Sequence, residues 1–223
     1  MSQTTRYERA NLTIAGHEYE SRTVAGACFL ALGAEFLTAI MLAAAMAPGY
    51  DFGGAAISDL GVIPETALLF NASLVVAGVL NAAGGYFLYR AHRKRWLLAC
   101  FALAGVGAAG AGVFPLDTGA LHSLSALFAF LFINLEAIGS ATVVDGFARW
   151  IAALAGVIGL VFVVLMVLGD SGNAAAFGPI GHGGTERMIV YPTMLWLVAF
   201  GGYLVGTDRS TVAARGIESR EIE

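Results

Sequence analysis

The chain has 223 residues, 58% of them hydrophobic and only 13% charged, with a formal net charge of −4; its mean hydropathy is +0.76. A soluble domain carries roughly 45–50% apolar and about 25% charged residues, so this chain has lipid rather than water around its core. The twelve basic residues stand in short clusters between apolar runs, and with no basic face to track a phosphate backbone a nucleic-acid partner is not expected.

A helix needs roughly 20 mainly apolar residues to cross a bilayer, because every backbone N–H and C=O must be satisfied without water. Six runs meet that length: 24–46, 65–88, 96–114, 119–144, 150–168 and 188–206. They predict an all-α polytopic protein, multi-pass in the cell membrane, with an N-terminal tail 1–23, a six-helix transmembrane domain 24–206 and a C-terminal tail 207–223. Positive residues near span ends stay in the cytoplasm. Eleven of the twelve basic residues fall on one side of this layout and only Arg187 on the other, which puts both termini in the cytoplasm. An alternative reading of the first span as a signal peptide, with a small-residue site at Ala45-Met46-Ala47, meets a long polar leader and Glu35 inside the apolar run.

In chain order, Cys28 lies in the first span and Cys100 in the third; both read as small core residues rather than a disulfide framework. The first long outer loop carries Ser58-Asp59, and Pro64 and Glu65 suit the first turn of the second span. In that span Asn71, Gly78, Asn81 and Gly85 share about a quarter of the helix circumference, a seam along which helices approach closely and amides hydrogen-bond across the gap. Gly105, Gly107, Gly110 and Gly112 make the third span thin, which predicts a central position. On the fourth, His122, Ser125, Ala129, Ile133 and Glu136 form one inward stripe. The short turn before it holds Asp117, read either as a helix N-cap or as a partner of His122 in a proton-transfer or metal site.

Carboxyls inside spans are costly unless protonated or partnered. Glu35 and Glu136 therefore form, with Asn71 and Asn81, a candidate intramembrane proton or polar site; the plainer reading is a neutral carboxyl bonded to Asn71, Asn81 or Thr38. His182, in a glycine-rich loop, reads as a solvated histidine. Arg187 breaks the charge asymmetry and is expected in the first turn of the last helix, where the dipole disfavours a cation. It should therefore pair with an anion, Asp59 or Asp117 first of all.

Three stretches, Ile57-Ser58-Asp59-Leu60-Gly61, Phe114-Pro115-Leu116-Asp117 with His122, and Thr185-Glu186-Arg187 followed by Trp196, together resemble the prokaryotic membrane family known as domain of unknown function 998, common in archaea. The resemblance covers all six spans and implies the fold; it carries no activity. A fainter similarity, to membrane hydrolases of the alkaline ceramidase type, fails because only His122 and His182 fall on the outer side, too few for a three-histidine zinc site.

The sequence thus leaves three functions open. One is an outer pocket of Ser58, Asp59, Asp117, His122, Glu186 and Arg187 that binds or transports a small molecule or lipid headgroup. Another is an outer-leaflet lipid-modifying or hydrolytic enzyme using His122 with carboxylates, or a His122–His182 haem site. The third is an accessory protein without chemistry. No cofactor, metal, catalytic residue or oligomeric state is assigned.

Overall fold

The computed structural model describes residues 11–14 and 17–218, with side chains for 19–206. A short antiparallel hairpin, β1 (Asn11–Ile14) and β2 (His17–Glu20), leads into six helices: α1 (Ser21–Met46), α2 (Ala67–His92), α3 (Arg95–Val113), α4 (Ala120–Ser140), α5 (Ala148–Asp170) and α6 (Gly181–Glu218). All six are long and apolar enough to cross a membrane. The hairpin falls in what the sequence marks only as a polar tail.

Two helix starts differ from the sequence reading. α2 begins at Ala67, so Pro64 and Glu65 lie in a turn before it rather than in its first turn. Thr66 takes over there, its buried hydroxyl donating to the Leu60 carbonyl at 2.8 Å. α6 begins at Gly181, seven residues before the apolar run, which moves Arg187 into the second turn and weakens the dipole penalty expected for it.

Each helix packs on its neighbours in sequence and α6 returns to α1. α3 lies between α2 and α4 and is thin on both sides: Gly105 and Gly112 meet α2 at Gly78 and Asn71, while Gly107 and Gly110 meet α4 at Ala129 and Ser125. It is a wall of the bundle, not the expected central helix. α5 packs against α4 and α6, its Gly156 and Gly159 set against Asn134 of α4.

Without a hydrophobic drive between helices in lipid, close packing and interhelical hydrogen bonds hold such bundles together. The fully buried Asn134 donates to the Ile189 carbonyl at 3.2 Å and accepts from the Thr193 hydroxyl at 2.8 Å, tying α4 to α6. The Trp196 indole donates to Ser140 Oγ at 2.8 Å in a second tie between the same helices. Across the bundle axis, Trp196, Phe200, Phe29 and Phe101 form a continuous stack with ring centroids 5.6, 5.4 and 4.8 Å apart. These four buried rings fill the half of the bundle nearer the basic loops, and they leave the half nearer the long loops for a chamber.

Candidate functional site

The chamber runs from the long loops down to the aromatic stack. Leu32 and Phe36 of α1, Phe70, Leu74, Ala77 and Asn81 of α2, alanines 104, 108 and 111 of α3, His122, Ala126, Ala129, Phe130 and Ile133 of α4 and Glu186, Val190 and Met194 of α6 line it, and Ile57 and Ser58 roof it. Its cavity volume is about 70 Å³, a narrow space that opens at its mouth. Six of its lining residues are alanines: small side chains at inward positions leave an apolar, narrow hollow where larger ones would close the core.

A second hollow, of about 1220 Å³ with its opening, lies beside the first. Ser123, Leu127, Val163, Met166, Val167 and Asp170 place it between α4 and α5, where exposed Leu127 and Val167 face outward. Ser58, His122, Ala126, Phe130 and Glu186 line both hollows. The cleft is therefore a side entrance to the chamber, and the three polar residues stand at the threshold.

His122 is buried, and its Nδ1 lies 2.8 Å from the Phe114 carbonyl oxygen. A carbonyl only accepts, so Nδ1 carries the proton. In that tautomer Nε2 is an acceptor, and it is buried with no partner. The Phe114 carbonyl is exposed for this bond because α3 ends at Val113 and Pro115, lacking an N–H, opens the turn to α4. Asp117 takes neither role expected of it. It sits exposed in that turn, Gly119 at a φ of 64° precedes α4 without a side-chain cap, and the His122 ring is held by Phe114 instead.

Glu186, also buried, accepts from the Ile57 N–H at 2.5 Å and from the Ser58 N–H beside it. It anchors the chamber's roof to α6. Asp59 turns away to accept from the Ala56 N–H at 2.8 Å, a local turn-forming bond.

Arg187 is 8% exposed and lines neither hollow. No ion pair to it is found among the described residues, which corrects the expected fork with Asp59 or Asp117. Instead Nη1 donates to the carbonyls of Phe52, Gly183 and Ala55 at 2.8, 2.8 and 3.1 Å, and Nη2 to the Tyr50 hydroxyl at 2.7 Å. The guanidinium also lies over the Phe52 and Tyr50 rings, 4.7 and 5.5 Å from their centroids, where ring quadrupoles attract a cation. Four hydrogen-bond acceptors and two ring faces replace one carboxylate. Burial pushes the Tyr50 phenol up, against the opposing pull of Arg187. It thus accepts from Arg187 while donating to the Ala56 carbonyl at 2.6 Å.

At the inner end, Asn81 Nδ2 donates to the Phe101 carbonyl at 3.0 Å and to Glu136 Oε2 at 2.9 Å. Asn71 instead donates to the Gly61 carbonyl at 2.8 Å, fastening the roof loop to α2. Glu35 lies beside Ser73 of α2, and Thr38 bonds back to the Ala34 carbonyl. The four residues grouped from the sequence thus fall in three places, of which only that of Asn81 and Glu136 holds a bonded pair.

His182, on the first turn of α6, faces Asp170 at 3.2 Å with its side chain 37% exposed, and both line the cleft. It is a helical residue in hydrogen-bond contact with Asp170 rather than a loop histidine. Asp170 was missed because helix α5 extends two residues past its apolar run; Asn134 and Tyr50 carried no signal beyond being polar. No group of three or more His, Cys, Asp or Glu able to hold a metal occurs among the described residues.

No curated protein and no solved structure matches the chain. A family model described as a protein of unknown function, DUF998, matches residues 24–203. The match reaches all six helices long and apolar enough to span a membrane, and the chain belongs to the domain of unknown function 998 family.

Proposed function

We propose that the protein binds an amphipathic, lipid-like ligand at its outer face, with the polar end at Ser58, His122 and Glu186 and the apolar chain in the chamber. The observation that carries this reading is the buried, unpartnered Nε2 of His122 at the junction of an apolar hollow and a side cleft. Such a nitrogen accepts, so it calls for a donor on the ligand. An acceptor-rich threshold selects a hydroxyl or amine head. Glu186 and Asp170 stand at the cleft while Arg187 is committed to the loop, and among the described residues no arginine or lysine lines the cleft to meet an anionic phosphate head. Binding is favoured over passage across the bundle, because the aromatic stack fills the axis beyond Asn81.

The test is saturable binding of radiolabelled 1-dodecanol to purified protein in nanodiscs, with dodecyl phosphate as competitor. Wild type should bind the alcohol and be displaced poorly by the phosphate, and His122→Leu should weaken binding about tenfold, the effect of one good hydrogen bond. No saturable binding, or preference for the phosphate, sinks the reading. A second reading, a lipid-modifying enzyme, draws on Ser58 and the free ring nitrogen sharing one threshold. Hydrolysis of a monoacylglycerol by wild type and not by His122→Leu would carry it.

A further inference from the structure

The chamber's inner end is polar in an unsatisfied way. The Asn81 amide has its orientation fixed, because Nδ2 faces two acceptors, the Phe101 carbonyl and Glu136 Oε2. Oδ1 therefore points away from both, and it is buried with no partner. Glu136 Oε1 is in the same position. Both side chains are more than nine-tenths buried, and Asn81 lines the hollow. Unsatisfied buried polar atoms are costly, and the chamber walls beside Asn81, which are Leu32, Ala77, Ala104 and Ile133, carry no side-chain donor.

We infer that Asn81 and Glu136 form a second anchor, which accepts a hydrogen bond from a hydroxyl or amine at the far end of the ligand. This rests on the chamber reading above and narrows it: the ligand has a hydrogen-bonding group at each end and an apolar middle. The spacing is set by α4, where His122 and Glu136 stand fourteen residues apart, about 21 Å at 1.5 Å per residue. A simple fatty alcohol satisfies only the threshold, whereas a long-chain diol or amino alcohol satisfies both ends.

The experiment compares 1-dodecanol with 1,12-dodecanediol on the full-length protein in nanodiscs, each measured by displacement of the radiolabelled alcohol. Wild type should hold the diol about tenfold more tightly relative to the alcohol than Asn81→Leu does, in which the ratio falls to about one. Asn81→Ala gives the same comparison should the leucine variant fail to fold. If wild type binds both compounds equally, the second anchor is refuted while the chamber stands. A diol preference that persists in the Asn81 variants also refutes it, since the preference then arises elsewhere. Failure of wild type to bind either compound removes the anchor and the chamber reading together.

Discussion

The Arg187 guanidinium and the Tyr50 hydroxyl meet at 2.7 Å although 137 residues separate them in the chain. Together with Glu186 on the Ile57 N–H, this bond makes two consecutive α6 residues the clasp of the first long loop. The glycines before them are part of the same device: Gly183 donates its N–H to the Gly53 carbonyl at 3.0 Å.

Removing the guanidinium should release that loop. Arg187→Ala loses four hydrogen bonds and leaves three loop acceptors short of a donor, so it should cost about 3 kcal/mol or more, and Tyr50→Phe, which removes the charge-assisted bond from Arg187 and the bond to the Ala56 carbonyl, about 2 kcal/mol. Arg187→Lys, a single ammonium without the planar fork, should fall between. Thermal melts and limited proteolysis within 47–66 check the order. A loop equally resistant in Arg187→Ala would show that the clasp is ornamental.

The Tyr50 phenol also sets a pH dependence. Burial holds its pKa above the ordinary value of about 10, so the folded state binds this proton more tightly than the unfolded state. The contribution is fully present below about pH 10 and is lost as pH rises through the folded value. Tyr50→Phe should therefore show a flatter decline in stability above pH 10 than wild type, whereas parallel curves would place the titrating group elsewhere.

A methyl group on Gly183 would strike the Ala55 carbonyl. Because the obstacle is backbone, Gly183→Ala should detach the loop as Arg187→Ala does. Gly202, around which a methyl would meet nothing within 4 Å, should accept alanine with no loss and serves as the control in the same assay.

Much of this was legible in the sequence because lipid imposes strict rules: six apolar runs gave six helices, and the helix-four stripe from His122 to Glu136 faces inward, with both ends buried and Leu124 and Phe128 exposed. Partner choice was not legible. Arg187 was assigned a carboxylate because a sequence displays side-chain charges and not the carbonyls that a loop turns inward, and those carbonyls satisfy it here. Asp117 looked like a cap by residue type, yet the positive φ of Gly119 carries the chain into α4 without one. α3 looked central because small residues mark close approach but not on how many sides.

The stripe itself makes a prediction about tolerance. Ser125 and Ala129 abut Gly110 and Gly107 of α3, so Ser125→Leu or Ala129→Leu would force two backbones apart, at a cost of roughly 1–3 kcal/mol or more. Leu124→Ile and Phe128→Leu, on the exposed face, should leave folding yield unchanged. Equal losses at all four positions in a fluorescence-detected folding assay would contradict the assigned face.

The last prediction fixes which end of the chamber faces the outside. The basic residues at 90–95 and Arg149 lie at one end of the bundle, and the long loops with Glu65 and Ala175 at the other; the positive-inside rule then directs the long-loop end, and with it the threshold at His122, outward. Glu65→Cys and Ala175→Cys replace exposed residues at that end, and Ala91→Cys an exposed residue at the basic end. Cys28 and Cys100 are half-buried within α1 and α3, so a charged, membrane-impermeant maleimide should leave them unlabelled. In intact cells the first two variants should label and Ala91→Cys should label only after permeabilisation. The reverse pattern would turn the chamber toward the cytoplasm, and its ligand would then be drawn from the inner leaflet.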